Sequence, residues 1–236
     1  MPQRFRLDRF PGLVYLGLGL VACKGSPPAL LPEHLASASE DQVAGWVAQS
    51  TPSQGVLHRF TWLYQDERAS KGGRGSARIA VPDSLRIDFA GSLGIGKGSA
   101  VVLGDSALWV VPVRSVEELV PGVSLLWSVL GIARGPDSGA RLSGLEQSGR
   151  TAWQYANGGD TVNYLRVAGD PVTLFAEVRR AGKIIGRTEM TAHSDGTPIK
   201  ARLTAPTVPS KLEITFYATI PTPAFPPETW ARPPEP

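Results

Sequence analysis

The spacing of apolar residues changes period along this chain, and each change marks a new element. Between Ser37 and Gln49, Val43, Trp46 and Val47 recur at i, i+3 and i+4 behind Ser39 and Glu40-Asp41-Gln42. That predicts an amphipathic helix capped by Ser39 and ended by Thr51-Pro52. From residue 59 the period is two. Phe60, Trp62 and Tyr64 alternate with Arg59, Thr61 and Leu63, which predicts a strand with one aromatic face. Lys71-Gly72-Gly73 is expected to turn the chain. Ala77, Ile79 and Val81 alternate next, then, past Pro82-Asp83, Leu85, Ile87 and Phe89. Ala100–Leu103 and Ala107–Val111 follow as a hairpin about Gly104-Asp105, so the first half is an antiparallel meander.

Val116–Ile132 breaks the alternation. Val123, Leu126, Trp127 and Leu130 hold helical spacing, while Leu125, Val129 and Ile132 make the stretch apolar nearly all round. Such a helix needs cover on most sides. Pro121-Gly122 splits off a first turn, and Arg134–Gly144 is expected as loop. Six more strands follow: Ala152–Tyr155, Thr161–Val167, Val172–Arg179, Lys183–His193, Ile199–Thr204 and Lys211–Ile220. Their separators, among them Asn157-Gly158-Gly159 and Ala181-Gly182, have hairpin chemistry. Seven prolines between Pro221 and Pro236 make the tail an extended strap or a disordered segment. The total is about eleven strands in a mainly β (α+β) body over 37–220. Its apolar sheet face must curl or be covered by helices.

Composition adds one body and a leader. The chain has 236 residues with 42% hydrophobic and 19% charged, and its formal charge is +3. Residues 1–22 hold Arg4, Arg6 and Arg9 against Asp8, which leaves 21 basic and 20 acidic residues beyond them. A near-neutral body gives no footing for nucleic acid. One cysteine excludes an intrachain disulfide and any cysteine cluster for zinc. The three histidines, His34, His58 and His193, lack ligand spacing, so no metal or cofactor is expected.

Met1–Phe10 is basic and Gly12–Ala22 is an apolar run of 11 residues, too short for a bilayer core that needs ~20. This is the grammar of a secretory signal. Leu20-Val21-Ala22-Cys23 resembles a bacterial lipobox. That resemblance implies cleavage after Ala22, diacylglycerol on the Cys23 thiol and a fatty acyl group such as palmitate on the new amino terminus. Each buried methylene contributes ~0.8 kcal/mol, so two or three chains anchor firmly. Lys24 stands where an aspartate retains many such proteins at the inner membrane. The resemblance therefore implies an outer-membrane anchor facing the periplasm in a two-membrane cell. Residues 23–36 would be the lipidated cysteine and its linker.

Gly75-Ser76-Ala77-Arg78-Ile79-Ala80-Val81-Pro82-Asp83-Ser84-Leu85-Arg86-Ile87-Asp88, Gly104-Asp105-Ser106-Ala107-Leu108-Trp109 and the order of elements resemble the LolA/LolB-like lipoprotein-carrier superfamily. The resemblance implies a strongly curved antiparallel half-barrel whose concave face is closed by helices. It also implies a hydrophobic cup for a lipid, or for the acyl chains of another lipoprotein. Phe60, Trp62, Tyr64, Trp109, Val123, Leu126, Trp127 and Leu130 would line that cup. By the same likeness Leu93 and Ile95, on the glycine-rich tip Ser92–Gly98, would touch a membrane or else tuck inward. The same aromatic strand face and apolar helix are also what any filled sheet-and-helix core requires.

Catalytic patterns do not assemble. Gly104-Asp105-Ser106-Ala107-Leu108 imitates the start of a GDS-L hydrolase, but no downstream Asp-x-x-His follows, and Asp105 falls where a turn is due. Gly94-x-Gly96-x-Gly98 lacks the strand–helix setting of a dinucleotide loop. Glu117-Glu118 are adjacent, so on a helix they splay apart as a solvated start. The expectation is a non-enzymatic, monomeric binding lipoprotein. The competing expectation is an envelope scaffold or interaction lipoprotein with a filled core.

Overall fold

A computed structural model describes residues 29–91, 97–104, 107–111, 120, 122–206 and 209–232, the side chains of 107–110 excepted. Cys23 and its leader, Leu93, Ile95, the Trp109 side chain, Asp105-Ser106 and Glu117-Glu118 lie outside that description. The elements run β1 (Ala36–Ser37), α1 (Glu40–Ala48), β2 (Val56–Asp66), β3 (Ser70–Ala80), β4 (Ser84–Gly91), β5 (Lys97–Leu103), β6 (Ala107–Val111) and α2 (Val123–Ser128). Then come β7 (Arg141–Gln147), β8 (Arg150–Asn157), β9 (Asp160–Val167), β10 (Val172–Arg180), β11 (Lys183–Ala192), β12 (Pro198–Ala205), β13 (Ser210–Pro221) and a 3-10 turn at Pro227–Trp230.

All thirteen strands form one sheet in the order β1-β7-β8-β9-β10-β11-β12-β13-β2-β3-β4-β5-β6. The two meanders are joined where the last strand meets the first long one, from Ser210↔Asp66 to Pro221↔Val56. The sheet is open, with β1 and β6 at its edges. Residues of β4 and of β11, five strand positions apart, share one hydrophobic cluster with α2. The intervening β12, β13, β2 and β3 add to the same cluster, and the open, curved half-barrel that holds it is the observed architecture.

Two strands exceed the expected eleven, β1 and β7, and β7 occupies part of the expected loop. Its signal is faint because its central inward position is Gly144. A Cβ there would run into the Trp46 ring, so α1 supplies the side chain that β7 lacks. The turn expected at Lys71-Gly72-Gly73 is also displaced: β3 runs straight through it. The real turn is at 67–69, where Asp66 Oδ1 accepts from the Arg68 and Ala69 amides at 2.7 Å each. Gly73 and Gly75 belong to β3 for close approach, since a Cβ would strike the Ala90 carbonyl or the Phe60 ring.

Helix α1 begins as its residues dictate. The Gln42 amide donates to Ser39 Oγ at 3.2 Å and the Ser39 amide donates to Gln42 Oε1 at 2.9 Å, a reciprocal capping box. Its buried Val43 and Trp46 join Trp153, Tyr155, Tyr164, Leu174 and Ala176 in a second cluster. Trp153 stacks on Tyr164 at 5.1 Å, and the Trp46 indole donates to Glu146 Oε2 at 3.1 Å. The second expected helix is helical only at Val123–Ser128 among its described residues. Leu125, Leu126, Trp127, Val129 and Leu130 are all buried, as an all-round apolar helix requires. The proline-rich tail is a strap through residue 232. The Thr222 amide donates to the Gly55 carbonyl at 2.8 Å, and Arg86 Nη1 donates to the Thr229 carbonyl at 3.0 Å.

Candidate binding cleft

The concave face is not filled evenly. Along β2 the inward positions are Val56, His58, Phe60, Trp62 and Tyr64. Phe60 and Tyr64 are buried, and Phe60 meets Phe89 and Phe216 edge-on at 5.7 and 5.8 Å. Trp62 is half-buried, edge-on to Phe89 at 5.8 Å, with its indole N–H directed at the Arg74 and Ala90 carbonyls. Leu126, Trp127 and Leu130 are buried in the same cluster, with Val123 half-buried against it. Seven of the eight residues expected to line a cup thus gather in one place, packed against one another.

Open space lies beside them. A cleft of about 450 Å³ sits where the ends of β2, β10, β11 and β13 meet residues 130–132. Its apolar lining includes Val56, Leu130, Ile132, Leu174, Met190 and Ala192. His58, Thr219 and Arg166 add polar groups, and residues 49–54 and 193–197 form the rim. Of the expected cup residues, Leu130 borders it. Val56 and His58 simply extend the alternation of Phe60 and Trp62 by two more inward positions. That extension is the sequence signal that marks this end of the strand.

Local chemistry holds the cleft's borders. Ser50 Oγ donates to the Val47 carbonyl and accepts from the Ala133 amide, both at 2.9 Å, tying the end of α1 to the segment after α2. Gly131 has φ +83°, and a Cβ there would press into Met190. Across the rim, Asp195 Oδ1 accepts from the Thr197 amide at 2.8 Å, which holds that carboxyl below its ordinary range. His58 lies 3.0 Å from Thr219 Oγ1 through Nδ1 and edge-on to Phe216 at 5.6 Å. Burial pushes its pKa down to about 4, so at neutral pH it is an uncharged imidazole. Arg166 is the inward-facing cation of the lining and makes no ion pair among the described residues.

No family model matches this chain, and no curated protein does. Solved structures do. A domain from Vibrio parahaemolyticus, assigned as an outer membrane lipoprotein-sorting protein, superposes with a TM-score of 0.54 over 81% of this chain and 97% of that one, at 8% identity. The chain has the LolA/LolB-like lipoprotein-carrier fold. Lower scores come from a DUF1329 family protein of Desulfovibrio piger (TM-score 0.35, 8% identity, 81% of this chain and 95% of that one). An exported protein with a YmcC-like fold from Bacteroides fragilis follows (0.27, 10% identity, 72% and 97%). At such identities the likeness speaks for the carrier fold alone.

Proposed function

We propose that this chain is a non-catalytic carrier lipoprotein of the cell envelope that holds an acyl chain of a lipid, or of another lipoprotein, in the cleft. The observation that carries the reading is the cleft at the open end of a lipoprotein-carrier fold, where an apolar wall of Leu130, Ile132, Leu174 and Met190 stands under a polar rim. Its volume falls within the ~300–1,000 Å³ of small-molecule sites. Each methylene that leaves water for Leu130, Ile132, Leu174 and Met190 stabilises the complex by ~0.8 kcal/mol. Arg166 offers a charge-assisted hydrogen bond to an anionic head at the mouth. Neutral His58 leaves the adjoining wall without a charge to desolvate. Cys23 would tether this body to the outer membrane within one short linker, with the signal segment 1–22 removed. Leu93 and Ile95 remain candidates for membrane contact.

One observation favours the competing reading, a scaffold lipoprotein with a filled core. The aromatic residues expected in the cup, Phe60, Tyr64 and Trp127, are buried against their neighbours. Uptake of a fluorescent fatty acid, with native mass spectrometry after gentle membrane extraction, separates the two. The carrier reading expects a co-purifying lipid and saturable uptake. It also expects Ala192→Phe, which fills the cleft, to cut uptake at least tenfold while the melting temperature holds. No lipid and no uptake would leave the scaffold.

A further inference from the structure

The outer face of the first meander carries a second groove, of about 640 Å³, with a different chemistry. The strand register lays its residues out in rows. Arg74, Ala90 and Lys97 are cross-strand neighbours, and Arg59, Ser76, Asp88 and Ser99 form the adjacent row. Neighbouring strands are about 4.8 Å apart, so Arg74 and Lys97 stand roughly 10 Å from each other across the small Ala90. Among the described residues the groove holds one carboxylate, and it is already engaged. Asp88 Oδ2 is 2.7 Å from Arg78 Nη1 and 3.1 Å from Arg86 Nε, while Ser99 Oγ donates to Oδ1 at 2.7 Å. Arg59, Arg74 and Lys97 are exposed and make no ion pair among the described residues. Tyr217, pushed outward by the bulge in β13, is 56% exposed at the groove's border, and Leu63 is 38% exposed farther along β2.

We propose that this outer face of β2–β5 docks on the phosphate headgroups of an anionic lipid bilayer. Three free cations converge on a floor kept low by Ala90, and the charge that would repel phosphate is neutralised within the sheet. A shallow surface with an exposed tyrosine and leucine beside its cations has the pairing of side chains that settles at a membrane interface. The inference is independent of the cleft: it rests on unpaired charge on the opposite face.

The test is co-sedimentation of the leader-free Cys23→Ser protein, which carries no acyl anchor, with vesicles of phosphatidylcholine mixed with phosphatidylglycerol, against vesicles of phosphatidylcholine alone. Each cation near an anionic surface is worth roughly a fivefold gain in partitioning. The R59Q/R74Q/K97Q variant should therefore lose about a hundredfold on the mixed vesicles. The charge-matched R150Q/R180Q/K183Q variant, altered on the other half of the sheet, should lose less than a tenth as much. If the first triple variant melts early, R74Q alone should still lose about fivefold. Equal losses in the two triple variants would overturn the proposal, as would equal binding to pure phosphatidylcholine. It is likewise overturned if inorganic phosphate displaces the protein more than chloride of the same ionic strength does, since the ligand is then a soluble phosphate.

Discussion

The two ends of the inner face of β2 share a strand, a face and an alternation, yet one is packed and the other is open. At the packed end Phe60 and Trp62 find aromatic edges from β4, and Phe60 finds another from β13, with α2 contributing to the same cluster. At the open end His58 has a hydroxyl and one ring edge, and the surrounding lining is built partly from Gly131 and Ala192. Alternation decides which way a side chain points. Whether it then meets a partner depends on volumes contributed by β10, β11 and the segment after α2, more than sixty residues away.

The sharpest way to break this comparison is to remove matter from each end. Phe60→Ala empties a fully buried site ringed by other side chains and should cost ~3–5 kcal/mol in urea unfolding. Leu174→Ala borders space that is already open and should cost about 2 kcal/mol, toward the low end for such truncations. Equal losses would mean that both ends are packed alike.

Proton uptake tests the open end next. The native His58 pKa lies near 4, below its ordinary 6.5, so between those values the unfolded chain binds the extra proton. The contribution is whole above pH 6.5 and drains as pH falls toward 4, by roughly 3 kcal/mol in all. Unfolding followed from pH 7 to pH 4 should show that loss, and His58→Gln should flatten it. An unchanged slope in His58→Gln would show that His58 is wetter than its burial implies.

The smallest effect probes the helix–sheet contact between the two ends. The Thr188 hydroxyl is buried on the inner face of β11 with no hydrogen-bond partner among the described residues, as is the Trp127 indole N–H. Thr188→Val keeps the shape and removes the orphan. It should raise stability by about 1 kcal/mol, read as a melting temperature a few degrees higher. A loss would show that the hydroxyl is satisfied by water or by a ligand.

How far the fold was legible follows from the range over which each signal acts. The Ser39 cap, the apolar face of α1, the alternation of β2, β4 and β13 and the Ala181-Gly182 turn all act within a few residues. Each was readable directly, whereas the half-barrel came from the resemblance to a known family, since the strands alone left curling or helix cover open. β7 was not, because Gly144 carries no apolar signal of its own and its packing partner Trp46 lies about a hundred residues earlier. Gly72 and Gly73 misled for a related reason. Glycine marks a turn when the chain is read alone, but in β3 Gly72 answers to the Trp62 carbonyl and Gly73 to the Ala90 carbonyl of the strands on either side.

The candidate site divides along the same line. Aromatic Phe60, Trp62 and Tyr64 announced an inward face, and the structure gathers them with Leu126, Trp127 and Leu130. Where space stays open is a sum over side chains from five strands and three connecting segments, and no local pattern contains that sum. Periodicity is local, so eleven of the thirteen strands, their two faces and the all-round burial of α2 could be read from the chain alone. The β13–β2 junction, the cleft beside His58 and the gathering of Arg59, Arg74 and Lys97 from β2, β3 and β5 exist only in the folded chain. Register and packing join residues that the chain keeps far apart.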